Sequence, residues 1–131
     1  MKQYSNITFF YYDDFAAAEN FYENIFHLEL VQDQGGCKLY RQGKCYFGIV
    51  DGSHGTLKPQ PKNACMLTII VDDVMEWYEY LTGKGVQVMS GPNHTPFVDN
   101  VFYIDPGGYI VETQTFKDPA VQKAFQEKGV F

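Results

Sequence analysis

Cysteine is scarce in this sequence, basic charge is outnumbered, and long apolar runs are missing. Cys37, Cys45 and Cys65 cannot all pair with one another and show no C-x-x-C spacing, which leaves reduced structural thiols as their reading. Lys and Arg number 10 against 16 Asp and Glu, giving a net charge of -6, so no phosphate-binding surface is expected and nucleic acid is set aside as a partner. No apolar run approaches the roughly 18 residues that span a bilayer. The opening MKQYSNITFFYYDD has no long apolar signal core. A soluble, cytoplasmic protein without a membrane partner is the expectation. The histidines, His27, His54 and His94, form no H-x-x-x-H pair.

What the chain does have is rings. Aromatic residues make up 17% of 131 residues, more than a core of this size needs, so some of them are expected to line a binding surface. It also has an internal repeat. Asp13-Asp14 recurs as Asp72-Asp73, 59 residues on, and this spacing lays Ile7–Leu30 over Met66–Met89. ITFFYYDD and MLTIIVDD read as strands ending at helix caps, Asp14 and Asp73. Phe15, Ala18, Phe21, Tyr22 and Ile25 then recur at helical spacing, as do Val74, Trp77, Tyr78 and Leu81. Gly85 supplies a left-handed stop before a strand Val86–Met89.

Each strand-helix-strand segment leads into a hairpin, Leu39–Val50 turning near Gln42-Gly43 and Val101–Thr113 turning at Asp105-Pro106-Gly107-Gly108. The stretch 51–63 reads as an exposed linker, and Asp118-Pro119 opens a short last helix. The expected fold is α+β, with two βαβββ modules (about 4–50 and 64–115) forming an open, incomplete barrel around a cleft, and a C-terminal helix over about 118–128.

Asp14-Phe15-Ala16-Ala17-Ala18-Glu19-Asn20-Phe21-Tyr22 with Asn24-Ile25-Phe26-His27-Leu28, then Val71-Asp72-Asp73-Val74, Gly85-Val86, and Tyr103-Ile104-Asp105-Pro106-Gly107-Gly108-Tyr109-Ile110-Val111-Glu112, resemble the runs of the vicinal-oxygen-chelate superfamily, which includes glyoxalases, bleomycin resistance proteins and extradiol dioxygenases. The resemblance covers nearly the whole chain as one domain. It implies a divalent metal held by one side chain from the first and one from the last strand of each module. Those positions carry Ile7, Met66, Glu112 and, in the first hairpin, Phe47 or Gly48. A catalytic zinc, iron or nickel site needs about three good donors from the protein. No metal site and no cofactor are therefore expected, with a lone metal ion on Glu112 kept as an alternative. His27 stands where the family has glycine and His54 lies in the linker; both read as turn or loop residues. The stretch His94–Glu112 partly resembles the extradiol-dioxygenase signature, which makes His94 a candidate ligand contact.

Steps of two along each strand extend the face that carries these positions. Phe9, Tyr11, Phe47, Met66, Thr68, Phe102, Ile110 and Glu112 are the expected lining, together with His94. Leu67, Ile69 and Val71 belong to the opposite, helix-covered face. An apolar, aromatic lining with one carboxylate suits a planar or hydrophobic molecule with a cationic or hydrogen-bond-donating end. Glu112 must be satisfied by a ligand, by Arg41 or Lys44, by water or by a hydroxyl; otherwise it exchanges protons and becomes a candidate general base.

The expected function is binding of a small apolar or aromatic molecule without a family-type metal. A glyoxalase-like lyase or isomerase, and behind it a dioxygenase, using Glu112 as base or lone metal ligand is the alternative. A non-catalytic interaction module with a self-filled cleft is a third possibility. The aromatic strand Tyr4–Tyr12 suggests pairing across two copies, hence a homodimer.

Overall fold

A computed structural model describes residues 1–128 and divides into two compact units, Met1–Gln60 and the chain from Pro61 onward. Each unit is a βαβββ module. The first comprises β1 (Thr8–Tyr12), α1 (Phe15–Glu19) with a following π-helical turn (Asn20–Ile25), β2 (Glu29–Asp33), β3 (Cys37–Gln42) and β4 (Cys45–Asp51). The second comprises β5 (Met66–Ile70), α2 (Val74–Gly83), β6 (Gln87–His94), β7 (Val98–Ile104) and β8 (Ile110–Phe116), and it carries a last helix, α3 (Pro119–Lys128). The sheets share one topology, β1-β4-β3-β2 and β5-β8-β7-β6, in which the first pair is parallel and the rest antiparallel. Among the described residues no helix is long and apolar enough to cross a membrane.

Both helices start where the sequence places their caps. Asp14 accepts the Ala17 N–H at 3.0 Å, and Asp73 accepts those of Met75 and Glu76 at 3.0 and 3.2 Å, satisfying donors that a helix start leaves free. The helices end in the left-handed region, at His27 (φ 58°) and Gly85 (φ 79°). Here the repeat slips. The first unit has one residue more between cap and stop than the second, so the constant spacing expected through Leu30 fails at the end of the helix. The Leu28 N–H reaches back to Tyr22 at 2.9 Å, whereas its counterpart Val86 reaches Leu81 at 3.0 Å, one residue closer in sequence. The wide π-helical turn is where the extra residue is absorbed.

Alternation along the strands sorts the core. In the first unit Phe10, Tyr12, Tyr40, Phe47 and Ile49 are buried with Ala18, Phe21, Tyr22 and Phe26 of the helical segment. Phe47 lies 4.9 Å from Tyr22 and 5.0 Å from Phe10 between ring centroids, and each fully buried ring contributes about 1.5–3 kcal/mol. In the second unit Ile69, Val71, Val101, Tyr103 and Val111 are buried with Val74 and Leu81 of α2. Burial pushes the Tyr103 hydroxyl up to about 12. The last helix docks on this unit through Gln122, whose amide donates to the Val71 carbonyl at 2.9 Å and accepts from the Phe116 N–H at 2.9 Å.

Two expectations about extent change. The ordered strand begins at Thr8, leaving Tyr4 90% exposed ahead of it, so the aromatic strand is shorter than Tyr4–Tyr12. β6 runs to His94 rather than stopping at Met89, bent by irregular pairing with β7 at two places, which the strand pattern of the sequence hides.

Candidate functional site

In the second unit the face away from the helices is centred on Glu112. Its neighbours across the sheet are Thr68 on β5 and Phe102 on β7, and two residues before Phe102 on β7 is Asn100. Met66 and Ile110 flank them in register on the same face. Glu112 is only 5% exposed. Both of its carboxylate oxygens are held: the Thr68 hydroxyl donates to Oε1 at 2.7 Å and the Asn100 amide donates to Oε2 at 2.9 Å. The donors are neutral, and none of the ion pairs among the described residues involves Glu112. Arg41, one candidate partner in the sequence, is instead bonded to Glu29 at 2.7 Å on the neighbouring strand β2.

The first unit treats the same positions differently. The residue paired with Phe9 on β4 is Gly48, as Glu112 is paired with Thr68, so Gly48 is the counterpart of Glu112. A side chain at Gly48 would overlap the Phe9 ring, which lies against the bare backbone there. Cys37 takes the position of Asn100, and burial pushes its thiol up. Phe9, Tyr11, Cys37 and Val50 border an open hollow of about 420 Å³, which His54 and Thr56 also line. The stretch after β4 is not simply an extended linker. A Cβ on Gly55 would come within 2.9 Å of both the Tyr11 ring and the Val50 side chain, so the backbone folds back against this face.

Phe9, Tyr11, Met66, Thr68, Phe102, Ile110 and Glu112 thus lie on the faces where alternation puts them. Two candidates do not. Phe47 is 5% exposed and packs under the helix of its unit, because the β1–β4 register puts Gly48 and not Phe47 on the open face. His94 is paired with Asp99, one residue out of step with Asn100 and so on the opposite face of β7. Its ring, 66% exposed, bonds Asp99 through Nδ1 at 2.7 Å. Lys117 reaches the same carboxylate at 2.9 Å, and Lys117 and then His94 hold Asp99 below the usual carboxylate range.

Asn100 was missed in the sequence. Another step of two back along β7 from Phe102 would have found it. Its amide orientation is fixed by the carboxylate, since the reverse orientation would set oxygen against oxygen. That leaves Asn100 Oδ1 buried with no hydrogen-bond partner.

The family's metal finds a poor donor set in these residues. Ile7 and Gly48 offer the first unit's positions no ligand atom, Met66 offers a thioether, and the one carboxylate already accepts two hydrogen bonds. Among the described residues no three His, Cys, Asp or Glu side chains are grouped to hold a metal ion.

Comparison with known proteins places these features in a family. The Glyoxalase/Bleomycin resistance protein/Dioxygenase superfamily profile matches residues 5–113. Similar solved structures include a lactoylglutathione lyase from Agrobacterium tumefaciens, with TM-score 0.69 and 23% identity over 87% of this chain and 94% of that one. A fosfomycin resistance protein from Listeria monocytogenes is similar at TM-score 0.71 and 15% identity, covering 88% and 94%. An antibiotic binding protein from a Streptomyces species is similar at TM-score 0.69 and 21% identity, covering 89% and 100%. No curated protein matches the chain in sequence.

Proposed function

We propose that this chain, which belongs to the glyoxalase/bleomycin resistance protein/dioxygenase superfamily, binds a small apolar or aromatic molecule on its open sheet faces without a family-type metal. The observation that carries this reading is the replacement at Gly48. Where a last-strand ligand would stand, the backbone is bare and the Phe9 ring lies over it, beside a hollow walled by Tyr11 and Val50. Rings of this kind offer large contact area at little entropic cost. That one structural relative is an antibiotic binding protein agrees with the reading.

Titration of the protein with a panel of polycyclic aromatic compounds, followed by calorimetry, tests it. A binder is expected whose affinity falls about tenfold in Phe9→Ala, the loss of one ring contact of about 1–1.5 kcal/mol. Absence of any binder across the panel would remove the reading in favour of a self-filled module.

A second reading is favoured by one observation. Glu112 is held at both oxygens, as a base with a fixed approach would be, and another structural relative is a lactoylglutathione lyase. This lyase or isomerase reading predicts turnover of an activated carbonyl compound that is lost in Glu112→Gln. Metal content after purification without chelator separates its metal-dependent form: stoichiometric metal, with activity that follows it, favours the enzyme.

A further inference from the structure

We infer that Glu112 and Asn100 of the second unit receive the cationic nitrogen of a ligand, so that this unit selects amine-bearing aromatic molecules over neutral or anionic ones. The inference rests on the binding reading and names the ligand class within it.

The polar groups around Glu112 are almost all acceptors once their internal bonds are counted. The carboxylate has no hydrogen to give and spends one lone pair on each side, on Thr68 and on Asn100. Asn100 turns its amide nitrogen to Glu112 and keeps an oxygen without a partner, in a residue only 7% exposed. The Thr68 hydroxyl has given its one proton to Glu112. What the cluster lacks is a positive charge. Arg41 is engaged by Glu29, and Lys117 and His94 by Asp99 on the other face of β7. A carboxylate so deeply buried among neutral groups is costly to leave without a counter-charge. An ammonium group supplies that charge together with several donors for the open acceptors, and the apolar neighbours Met66, Phe102 and Ile110 suit the hydrocarbon that carries it. An anionic ligand meets only like charge here, in a chain whose net charge is already -6.

The test compares naphthylethylamine, naphthylethanol and naphthylacetic acid by calorimetry at neutral pH. These compounds share one ring system and differ at its polar end. The amine is expected to bind at least about tenfold more tightly than the alcohol, the worth of one charge-assisted hydrogen bond, and the acid more weakly than either. In Glu112→Gln the advantage of the amine over the alcohol should vanish, with circular dichroism and a cooperative thermal unfolding transition reporting that the variant is folded. Equal or tighter binding of the alcohol by the unaltered protein overturns the inference and leaves the broader binding reading intact. Failure of all three compounds, when another compound of the panel binds, overturns the inference and leaves the broader reading standing. Zinc or nickel ions that displace the amine from the unaltered protein, and have no effect on Glu112→Gln, would also overturn it, because the carboxylate would then be a metal ligand.

Discussion

Under its helix the first unit packs mainly rings, Phe10, Phe21, Tyr22, Phe26 and Phe47, where the second packs mainly aliphatic side chains, Ile69, Val74, Leu81, Val101 and Val111, around the ring of Tyr103. On the opposite faces the chemistry is reversed. The first unit shows Phe9 over a bare Gly48, and the second shows a carboxylate clasped by Thr68 and Asn100. The difference extends to charge. Lys38 of β3 occupies the place of the wholly buried Val101 of β7 and reaches Glu19 at 2.6 Å and Glu23 at 3.2 Å from beneath the helix. Two copies of one backbone plan thus keep strand order, caps and stops while exchanging what each face carries. Backbone hydrogen bonds fix the plan, and side-chain volume and charge are free to vary in matched groups.

The comparison breaks most severely at Lys38. Lys38→Met leaves Glu19, Glu23 and the Tyr40 hydroxyl that donates to Glu23 without their cation, and about 3 kcal/mol of stability should be lost in urea unfolding. The hydrogen bond to Glu19 raises the Lys38 ammonium above its ordinary 10.5. A raised amine stabilises the folded state fully below its unfolded value, and that contribution fades as pH climbs through the folded value. The stability gap between Lys38→Met and the unaltered protein should therefore hold at neutral pH and narrow only above about 10.5. A gap that closes on moving from pH 6 to about 9 would contradict the assignment.

Next in size is Gly48→Glu, which writes the second unit's residue into the first. Overlap with Phe9 should cost about 2 kcal/mol. Combining it with Phe9→Thr should recover at least half of that, a coupling read from a double-mutant cycle. Independent, additive effects would mean that the ring and the missing side chain do not share one space. The smallest effect is expected for Thr68→Val, which makes the second unit resemble the first by taking one donor from Glu112, at about 1 kcal/mol by thermal unfolding. No change in stability would show that the hydroxyl bond is replaced by water.

The doubled plan was legible because it rests on periodicity and caps. Asp14, Asp73, Gly85 and the Asp105–Gly108 turn act where the sequence places them, and Asp105 Oδ1 accepts the Gly107 and Tyr109 N–H groups to close that turn. Most of the open-face residues followed from alternation counted along each strand from Ile7, Met66 and Glu112. Phe47 did not, since a hairpin register uncertain by one residue reverses the face, and only the β1–β4 pairing decides it. His94 did not because spacing in sequence carries no information about which face a bent β6 presents at its end. Asn100 and the fold-back of Gly55 onto Tyr11 depend on contacts between segments that no local pattern encodes.

The wide turn at Asn20–Ile25 bears on how such copies can diverge. An added residue in a regular helix swings everything beyond it by about 100° around the axis, which would carry the next strand out of step with its sheet. Here the surplus is swallowed within a single loop of backbone, and His27 still delivers the chain to β2 in the left-handed turn that Gly85 makes for β6. The helix acts as a buffer for length, and the halves can drift in size without drifting in phase.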